Sequence, residues 1–246
     1  MKPAWNAPPT DFLLSEKDIH ILRANLDLPI IKIEKLDQTL SIDERSKAGR
    51  FHFEEHRRRF IARHGILRLI LGCYLSVEPS AIRFCYEKNG KPRLQNAFGK
   101  TDIQFNLSHS GGLALYVFTR DHEVGVDLER IRDFPEMERI VEQFFSVKER
   151  VVFGALPISE KKETFFSWWT RKEAFMKAIG DGLSYPLDTF DVSVAPGKPA
   201  ELLRILGGAK EASRWSIGKV RPAEEFAGAF VVEGGDLDVQ YWQWSG

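Results

Sequence analysis

Apolar residues in this chain recur with two periods, and the switches between them mark out the elements. Over residues 43–75, Ile61, Ile66, Leu67, Ile70 and Leu71 fall at helical spacing and Gly72 stands near a suitable end, so the stretch reads as one helix or two. Residues 81–87 read as a strand. Lys88-Asn89-Gly90-Lys91-Pro92 is turn chemistry, because Asn-Gly supplies a positive φ and Pro92 lacks a ladder donor. Residues 104–107, 113–118 and 124–128 read as strands. Gly111-Gly112 opens the second, and a polar turn over 119–123 leads to the third, which predicts an antiparallel hairpin of the last two. Residues 135–144 and 147–153 read as helices, with a loop around Pro157. The strongest helical pattern runs over 164–179 and ends at Gly180-Asp181-Gly182. Residues 190–194, 215–220, 227–232 and 239–244 read as strands. Residues 1–40 are mixed, with Pro8-Pro9 and short apolar runs such as 28–33.

One internal echo stands out. Gly72, Leu75 and Ser76 recur as Gly180, Leu183 and Ser184, a fixed offset of 108 (72 to 180). A helix precedes each set and a strand follows, which predicts a duplicated α/β half.

Composition narrows the class. At 246 residues the chain is long for one compact domain and short for two full ones. Hydrophobic residues at 43% and charged residues at 28% fit a globular protein with a real core. Formal net charge is zero, so no global field draws the chain to nucleic acid or membrane, and recognition must come from local patches. Cys73 and Cys85 have apolar neighbours and read as buried thiols rather than a disulfide framework. Met1-Lys2-Pro3-Ala4-Trp5 lacks the apolar core of a signal peptide, and the longest apolar run, 66–75, is broken by Arg68. A cytoplasmic protein is the expectation.

The candidate chemistry is concentrated in a few segments. Asp127 and Glu129 sit two apart on a predicted strand, so both side chains share a face opposite Val126 and Leu128. They are either a solvated strand end or a pair that needs a cation. Glu173 and Lys177 are i and i+4 on the strongest helix. As a surface pair they would contribute roughly 0.2–0.5 kcal/mol. Yet Phe165, Phe166, Trp168, Trp169, Phe175 and Met176 leave that helix few faces suited to water, which favours a pocket edge. Hard carboxylate oxygens suit Mg²⁺, and Mg²⁺ commonly accompanies a phosphate-bearing substrate. Residues 43–68 hold eight basic and four acidic residues, either a charged outer helix face or an anion site, with Arg59 and Arg63 one turn apart. Ser108-His109-Ser110-Gly111-Gly112 is a polar turn that could face water or contact phosphate through imidazole and backbone N–H groups. His52-Phe53-Glu54-Glu55-His56 fits an H-x-x-E-H zinc pattern, but Arg57, Arg58 and Arg59 follow it and no third-ligand motif does.

Taken in order, Gly90-Lys91-Pro92, Phe105-Asn106-Leu107-Ser108-His109-Ser110, Gly125-Val126-Asp127-Leu128-Glu129, and Trp169-Thr170-Arg171-Lys172-Glu173-Ala174-Phe175-Met176-Lys177 followed by Gly180-Asp181-Gly182-Leu183 resemble the Sfp-type family of 4′-phosphopantetheinyl transferases. The resemblance covers roughly residues 40–195. It implies an α+β, pseudo-twofold fold of two similar α/β halves, each with a small antiparallel sheet packed on helices. Residues 1–122 would carry the basic helix and the coenzyme A contacts, and residues 123–246 the acids and the catalytic helix. It implies transfer of the phosphopantetheine arm of coenzyme A to a serine of an apo acyl or peptidyl carrier protein, with release of 3′,5′-ADP. Asp127, Glu129 and Glu173 match the family's Mg²⁺ site and Lys177 its pyrophosphate contact. Ser108 and His109 match the phosphate turn, and Lys91 and Pro92 the pair near the adenine and 3′-phosphate. Arg63 matches a basic phosphate contact, and Arg45, Lys47 and Arg50 compete for further ones. In the mechanism so implied, Glu173 is the general base, Asp127 is required through the metal, and Lys177 and His109 stabilise charge. Phe145, Phe153 and Leu156 are candidates for the carrier contact or for core packing. A monomer is expected from two fused halves. Two rivals remain at this point: a non-catalytic module binding coenzyme A or a carrier, and a zinc hydrolase using His52 and His56.

Overall fold

The computed structural model describes residues 4–95, 102–180, 182, 185–192, 202–205 and 208–245. Its organising feature is a set of strands whose alternate faces feed different cores. In β5 (Leu113–Arg120), Ala114, Tyr116 and Phe118 join one hydrophobic cluster, while Leu115 and Val117 join another. In β10 (Phe226–Glu233), Ala227, Ala229 and Val231 face one way and Phe230 and Val232 the other. A strand buried on both faces reads as a continuous apolar run although its period is still two.

The first half begins with β1 (Asp18–Asn25), α1 (Ile30–Asp37) and α2 (Ile42–Ala48). It continues with the 22-residue α3 (Glu54–Leu75), the hairpin strands β2 (Phe84–Tyr86) and β3 (Pro92–Leu94), then β4 (Ile103–Ser110) and β5. The second half repeats that order: β6 (Val124–Arg130), α4 (Met137–Phe144), α5 (Val147–Gly154), the 22-residue α6 (Ile158–Ile179), β7 (Asp191–Val192) with β8 (Leu202–Arg204), α7 (Ala209–Ala212), β9 (Trp215–Val220) and β10. In each half the first strand pairs antiparallel with the last, giving β1-β5-β4 and β6-β10-β9. β11 (Asp238–Trp244) returns to lie parallel to β1. Helix α3 covers one sheet, α6 covers the other, and Ile21, Val117, Val126, Leu128 and Phe230 fill the seam between the sheets.

The duplication reaches individual side chains. Ser41 and Ser146 each cap a helix in a capping box whose returning carboxylates are Glu44 and Glu149. Each glutamate is buried and paired to a base on the long helix: Arg68 Nε to Glu44 at 2.8 Å, and Lys172 Nζ to Glu149 at 2.8 Å. Each base also donates to carbonyls of the turn that follows its helix. Arg68 reaches Pro79 O and Ile82 O, and Lys172 reaches Leu187 O and Phe190 O. Removing one partner of such a buried pair strands a charge. Lys172→Met is therefore expected to cost roughly 3–5 kcal/mol in urea unfolding, with Lys172→Met/Glu149→Gln regaining part of it. Equal losses in the two variants would contradict a charge-pair role.

Several expectations need correction. The repeat is present, but the 108-residue echo pairs the wrong glycines. The long helices start 104 residues apart (54 and 158) and their C-caps are Ser76, at φ 54°, and Gly180, at φ 76°. Gly72 is an interior helical residue; the offset becomes 108 only after the helices, at the short turns Pro79–Ala81 and Leu187–Thr189. Leu183 and Ser184 lie outside the described residues, as do Asp181 and residues 193–194 of a predicted strand. β5 and β6 do not form a hairpin. Both edges of β5 are taken, by β1 and β4, and β6 pairs with β10 instead. The chain leaves one sheet for the other through Asp121, at φ 61°. Cys73 and Cys85 are exposed, on the outer side of α3 and on the small hairpin. β1, central in its sheet, was not foreseen within the mixed first 40 residues. Among the described residues no helix is long and apolar enough to cross a membrane.

Candidate active site

The seam between the halves brings β4, β6 and α6 together. β4 and β6 run in the same direction without pairing backbones; side chains of β4 do that work. Asn106 Oδ1 accepts from Val126 N at 3.1 Å, and Ser110 Oγ accepts from Arg130 N at 3.0 Å. Helix α6 reaches the same seam because position 125 is glycine. A Cβ there would stand 2.1 Å from Ala174 O and 2.4 Å from Ala178 N. The helix backbone therefore rests directly on β6, at the turn from Ala174 to Ala178 that carries Lys177.

As the alternation predicts, Asp127 and Glu129 point to the face opposite Val126 and Leu128, toward α6. Lys177 Nζ lies 2.6 Å from Asp127 Oδ1 and 3.0 Å from Ser108 Oγ, and Ser108 donates to the same Asp127 oxygen at 2.9 Å. Ser110 donates to Glu129 at 3.0 Å. Asp127 is 4% exposed, and its Oδ2 is buried with no hydrogen-bond partner. Burial first, then the Asp127 and Glu129 charges, push the Glu173 carboxyl up to about 7, against a counterpull from Lys177. Burial and Asp127 raise Glu129 as well. The three acids thus feel one another, and Lys177 is the cation they share. Among the described residues, however, no group of three or more His, Cys, Asp and Glu side chains is arranged to hold a metal ion.

The duplicated fold carries this chemistry once. By strand and helix register, the counterparts of Asp127, Glu129, Glu173 and Lys177 in the first half are Leu22, Ala24, Leu69 and Cys73.

Arg63 and His109 meet at the rim of the same seam, with Arg63 Nη1 2.8 Å from His109 Nδ1. Burial and the Arg63 and Lys177 charges hold the imidazole down to about 4, so it is neutral and accepts from the guanidinium rather than offering a charge. Arg63 Nε is buried without a partner, and no carboxylate pairs with Arg63 among the described residues. The rest of the basic stretch is largely spoken for. Arg68 holds Glu44, Arg59 holds Asp27 at 2.6 Å, Arg57 pairs with Glu54, and Arg58 donates to Leu28 O. Of the competing upstream residues, Arg45 caps the end of α1 through Asp37 O and Gln38 O, while Lys47 and Arg50 line a recess with Arg83 and Tyr86. Lys91 is buried, bound to Glu123 at 2.9 Å and Ala178 O at 2.7 Å, and Pro92 opens β3 beside it. Phe145 and Phe153 are core residues and Leu156 packs against that core; Phe144, Val147 and Val151 are the exposed apolar side chains of that segment. His52 precedes α3, and the Phe53 ring contacts both His52 and His56, so the two imidazoles do not share a helix face for zinc.

Ser110, Asn106, Gly125 and the Glu123–Arg93 pair also shape the site, although sequence pattern assigns none of them an individual role. Gly125 had a visible signal: a glycine two residues before a candidate acid, inside a strand, marks a close backbone approach.

The profile of the 4′-phosphopantetheinyl transferase superfamily matches residues 123–231, and that of the 4′-phosphopantetheinyl transferase N-terminal region matches residues 31–119. The 4′-phosphopantetheinyl transferase HetI of Nostoc sp. is 37% identical over 244 residues, which is 99% of this chain and all of HetI. The chain belongs to the 4′-phosphopantetheinyl transferase superfamily. The Sfp transferase of Bacillus subtilis is 31% identical over 159 residues, 65% of this chain and 68% of Sfp. Among solved structures, the holo-(acyl-carrier-protein) synthase of Bacillus anthracis in complex with coenzyme A (3′,5′-ADP) matches at 22% identity and a TM-score of 0.37, over 46% of this chain and 96% of that one. Asp127, Glu129, Glu173 and Lys177 lie within the matched 123–231 span, and Ser108 and Arg63 within the matched 31–119 span.

Proposed function

We propose that this transferase moves the 4′-phosphopantetheine arm of coenzyme A onto the hydroxyl of a carrier-protein serine, with Mg²⁺ at the cleft of Asp127, Glu129 and Glu173. The observation that carries the reading is the convergence of Lys177, Asp127 and Ser108 from three distant segments at 2.6–3.0 Å. The buried, unpartnered Oδ2 of Asp127 supports the metal, since such an oxygen is costly without a cation or donor. The donor set, three carboxylates, suits a hard ion. When bound, Mg²⁺ would neutralise charge on the pyrophosphate as the anhydride breaks. Glu173, with its raised proton affinity, takes the proton of the carrier serine. The serine oxygen then forms its bond to the β-phosphorus of coenzyme A, the phosphoanhydride P–O bond breaks, and 3′,5′-ADP leaves. Lys177 and Arg63 stabilise charge on the phosphates, and Ser108 and the neutral His109 orient them. Lys47 and Arg50 are the upstream candidates for the 3′-phosphate, and Pro92 flanks the adenine.

On this reading residues 1–122 supply the phosphate contacts and residues 123–246 the acids and the reacting helix. The fused halves support a monomer, a formal net charge of zero supports a protein without nucleic-acid partners, and the cytoplasm is the compartment in which we place the reaction. An acidic carrier would meet Phe144, Val147 and Val151, with Lys148 and Arg150 beside them. A non-catalytic binding module would have no use for the acids on β6 and α6. Mass spectrometry of apo carriers incubated with the enzyme, Mg²⁺ and coenzyme A is the direct test: a gain of about 340 Da is expected on the serine, and unmodified carriers across the panel would refute transfer.

The pH dependence tests the metal without any turnover. Glu173 is raised from 4.5 to about 7, so the folded protein binds its proton more tightly than the unfolded chain. The stability this gives is present below about 4.5 and is lost as pH rises through about 7. A divalent cation relieves the repulsion that remains. The rise in Tm on adding Mg²⁺ is therefore expected to be larger at pH 8 than at pH 6. A rise that is the same at both, or absent, counts against the site.

A further inference from the structure

The last turn of a helix leaves carbonyls with no intrahelical partner. In α6 those carbonyls are met from the other half of the molecule. Lys91 Nζ donates to Ala178 O at 2.7 Å, and Asn89 Nδ2 donates to Gly180 O at 3.1 Å. Both donors sit on the turn between β2 and β3. The Lys91 side chain is 4% exposed, and its ammonium also binds Glu123 at 2.9 Å. Glu123 is the residue before β6, and Arg93 of β3 donates to both of its oxygens at 2.7 Å. Arg93 in turn holds Glu87 at 2.7 Å. This cluster of two cations and two anions ties together the β2–β3 hairpin, the start of the strand that carries Asp127, and the end of the helix that carries Glu173 and Lys177. A cation at this helix end also suits the helix dipole.

We infer that Lys91, with Asn89 and Glu123, is a positioning residue that seats the last turn of α6 and so sets where Lys177 and Glu173 stand against the first half. Gly125 limits the turn from beneath, where Ala174 O and Ala178 N already rest on β6. Lys91 limits it from its end. Lys177 is next in sequence to Ala178, and its reach to Asp127 and to Ser108 depends on that seat. Two of the ammonium's three hydrogens are used inside the protein, which leaves Lys91 poorly placed to offer its charge to a phosphate. The inference rests on the reading of α6 as the reacting helix.

The test compares Lys91→Met and Lys91→Arg in steady-state transfer to an apo carrier that the wild type modifies. Wild-type turnover is measured first, so failure of the transferase reading shows itself there. Lys91→Met is expected to lower kcat about 10- to 100-fold, because a displacement near 1 Å is enough to do so, with KM for coenzyme A within about twofold. Amide exchange over residues 176–180 is expected to quicken in Lys91→Met. Lys91→Arg, which can still reach Glu123 and Ala178 O, is expected to restore most of kcat and of the protection. Should Lys91→Met fold poorly, Asn89→Ala removes one bond of the same seat, and the same pattern is expected at smaller amplitude. A KM increase of about tenfold or more with kcat kept would make Lys91 a ligand contact and overturn the inference. Unchanged kcat and KM with only a lower Tm, or a fall in kcat without faster exchange, would overturn it too.

Discussion

Asp127→Asn is expected to reduce phosphopantetheine transfer by about 10³-fold while the protein stays folded. The loss is of the size seen when a preorganised electrostatic partner is removed from a reacting centre. Asparagine keeps the volume at this buried position, and its Oδ1 can still accept from Ser108 and Lys177, so the strand and the Ser108 contact survive. What disappears is the charge that the unpartnered Oδ2 shares with the cleft. Lys177 remains 29% exposed and can rehydrate, so no charge is stranded. Asp127 also raises the Glu173 carboxyl, and that carboxyl should therefore titrate lower in the metal-free variant, which carbon-detected NMR can follow. Turnover near wild type in Asp127→Asn would remove this residue from the centre of the mechanism, and with it the metal assignment.

Gly125→Ala is the other change with a large expected effect, and here the cause is steric. The new Cβ would overlap backbone atoms of α6 at 2.1 and 2.4 Å, which no rotamer can relieve. Helix and strand must separate, and overpacking of this kind costs about 3 kcal/mol. Because the displaced turn carries Lys177 and flanks Glu173, turnover should fall about 10²-fold even at temperatures where the variant is folded. Lys177 is then expected to lose its contact with Ser108. A variant that keeps both its Tm and its kcat would mean that the close approach of α6 to β6 does not set the site. A comparison with Ala227→Gly, a change on the neighbouring strand that only lightens packing, separates general destabilisation from displacement of the helix.

Much of this was legible because it depends on local periodicity. Alternation fixed the shared face of Asp127 and Glu129, and helical spacing fixed the alignment of Glu173 with Lys177. Turn chemistry at Asn89-Gly90 marked the hairpin that later proves to brace α6. The pattern of α6 is legible from Thr164 onward, and the structure extends the helix back to Ile158, because Ile158 is an exposed apolar residue that offers no amphipathic signal. β1 was missed for the opposite reason: it is buried on both faces in the middle of a sheet, and its partners β5 and β11 lie far along the chain.

The basic stretch illustrates a different limit. Eight basic residues over 43–68 are compatible with a charged outer helix face or an anion site, but ion pairs and carbonyl contacts consume most of them, and Arg63 instead meets His109 on β4. Charge counting cannot see a partner such as Asp27, which reaches Arg59 across 32 positions. The same holds for Lys91 and Lys172, which stand in or beside motif blocks yet hold carbonyls and carboxylates inside the fold.

By itself the sequence determined the kinds of element, the family, and which acids and bases share a face, since each of these follows from residue type at short spacing. Only the tertiary structure decided the sheet partners, the 104-residue register of the two long helices, the neutral state of His109, and the seating of α6 between Gly125 and Lys91. Those outcomes depend on which distant groups meet and how deeply they are buried, and neither pairing nor desolvation is a property of neighbouring residues along the chain.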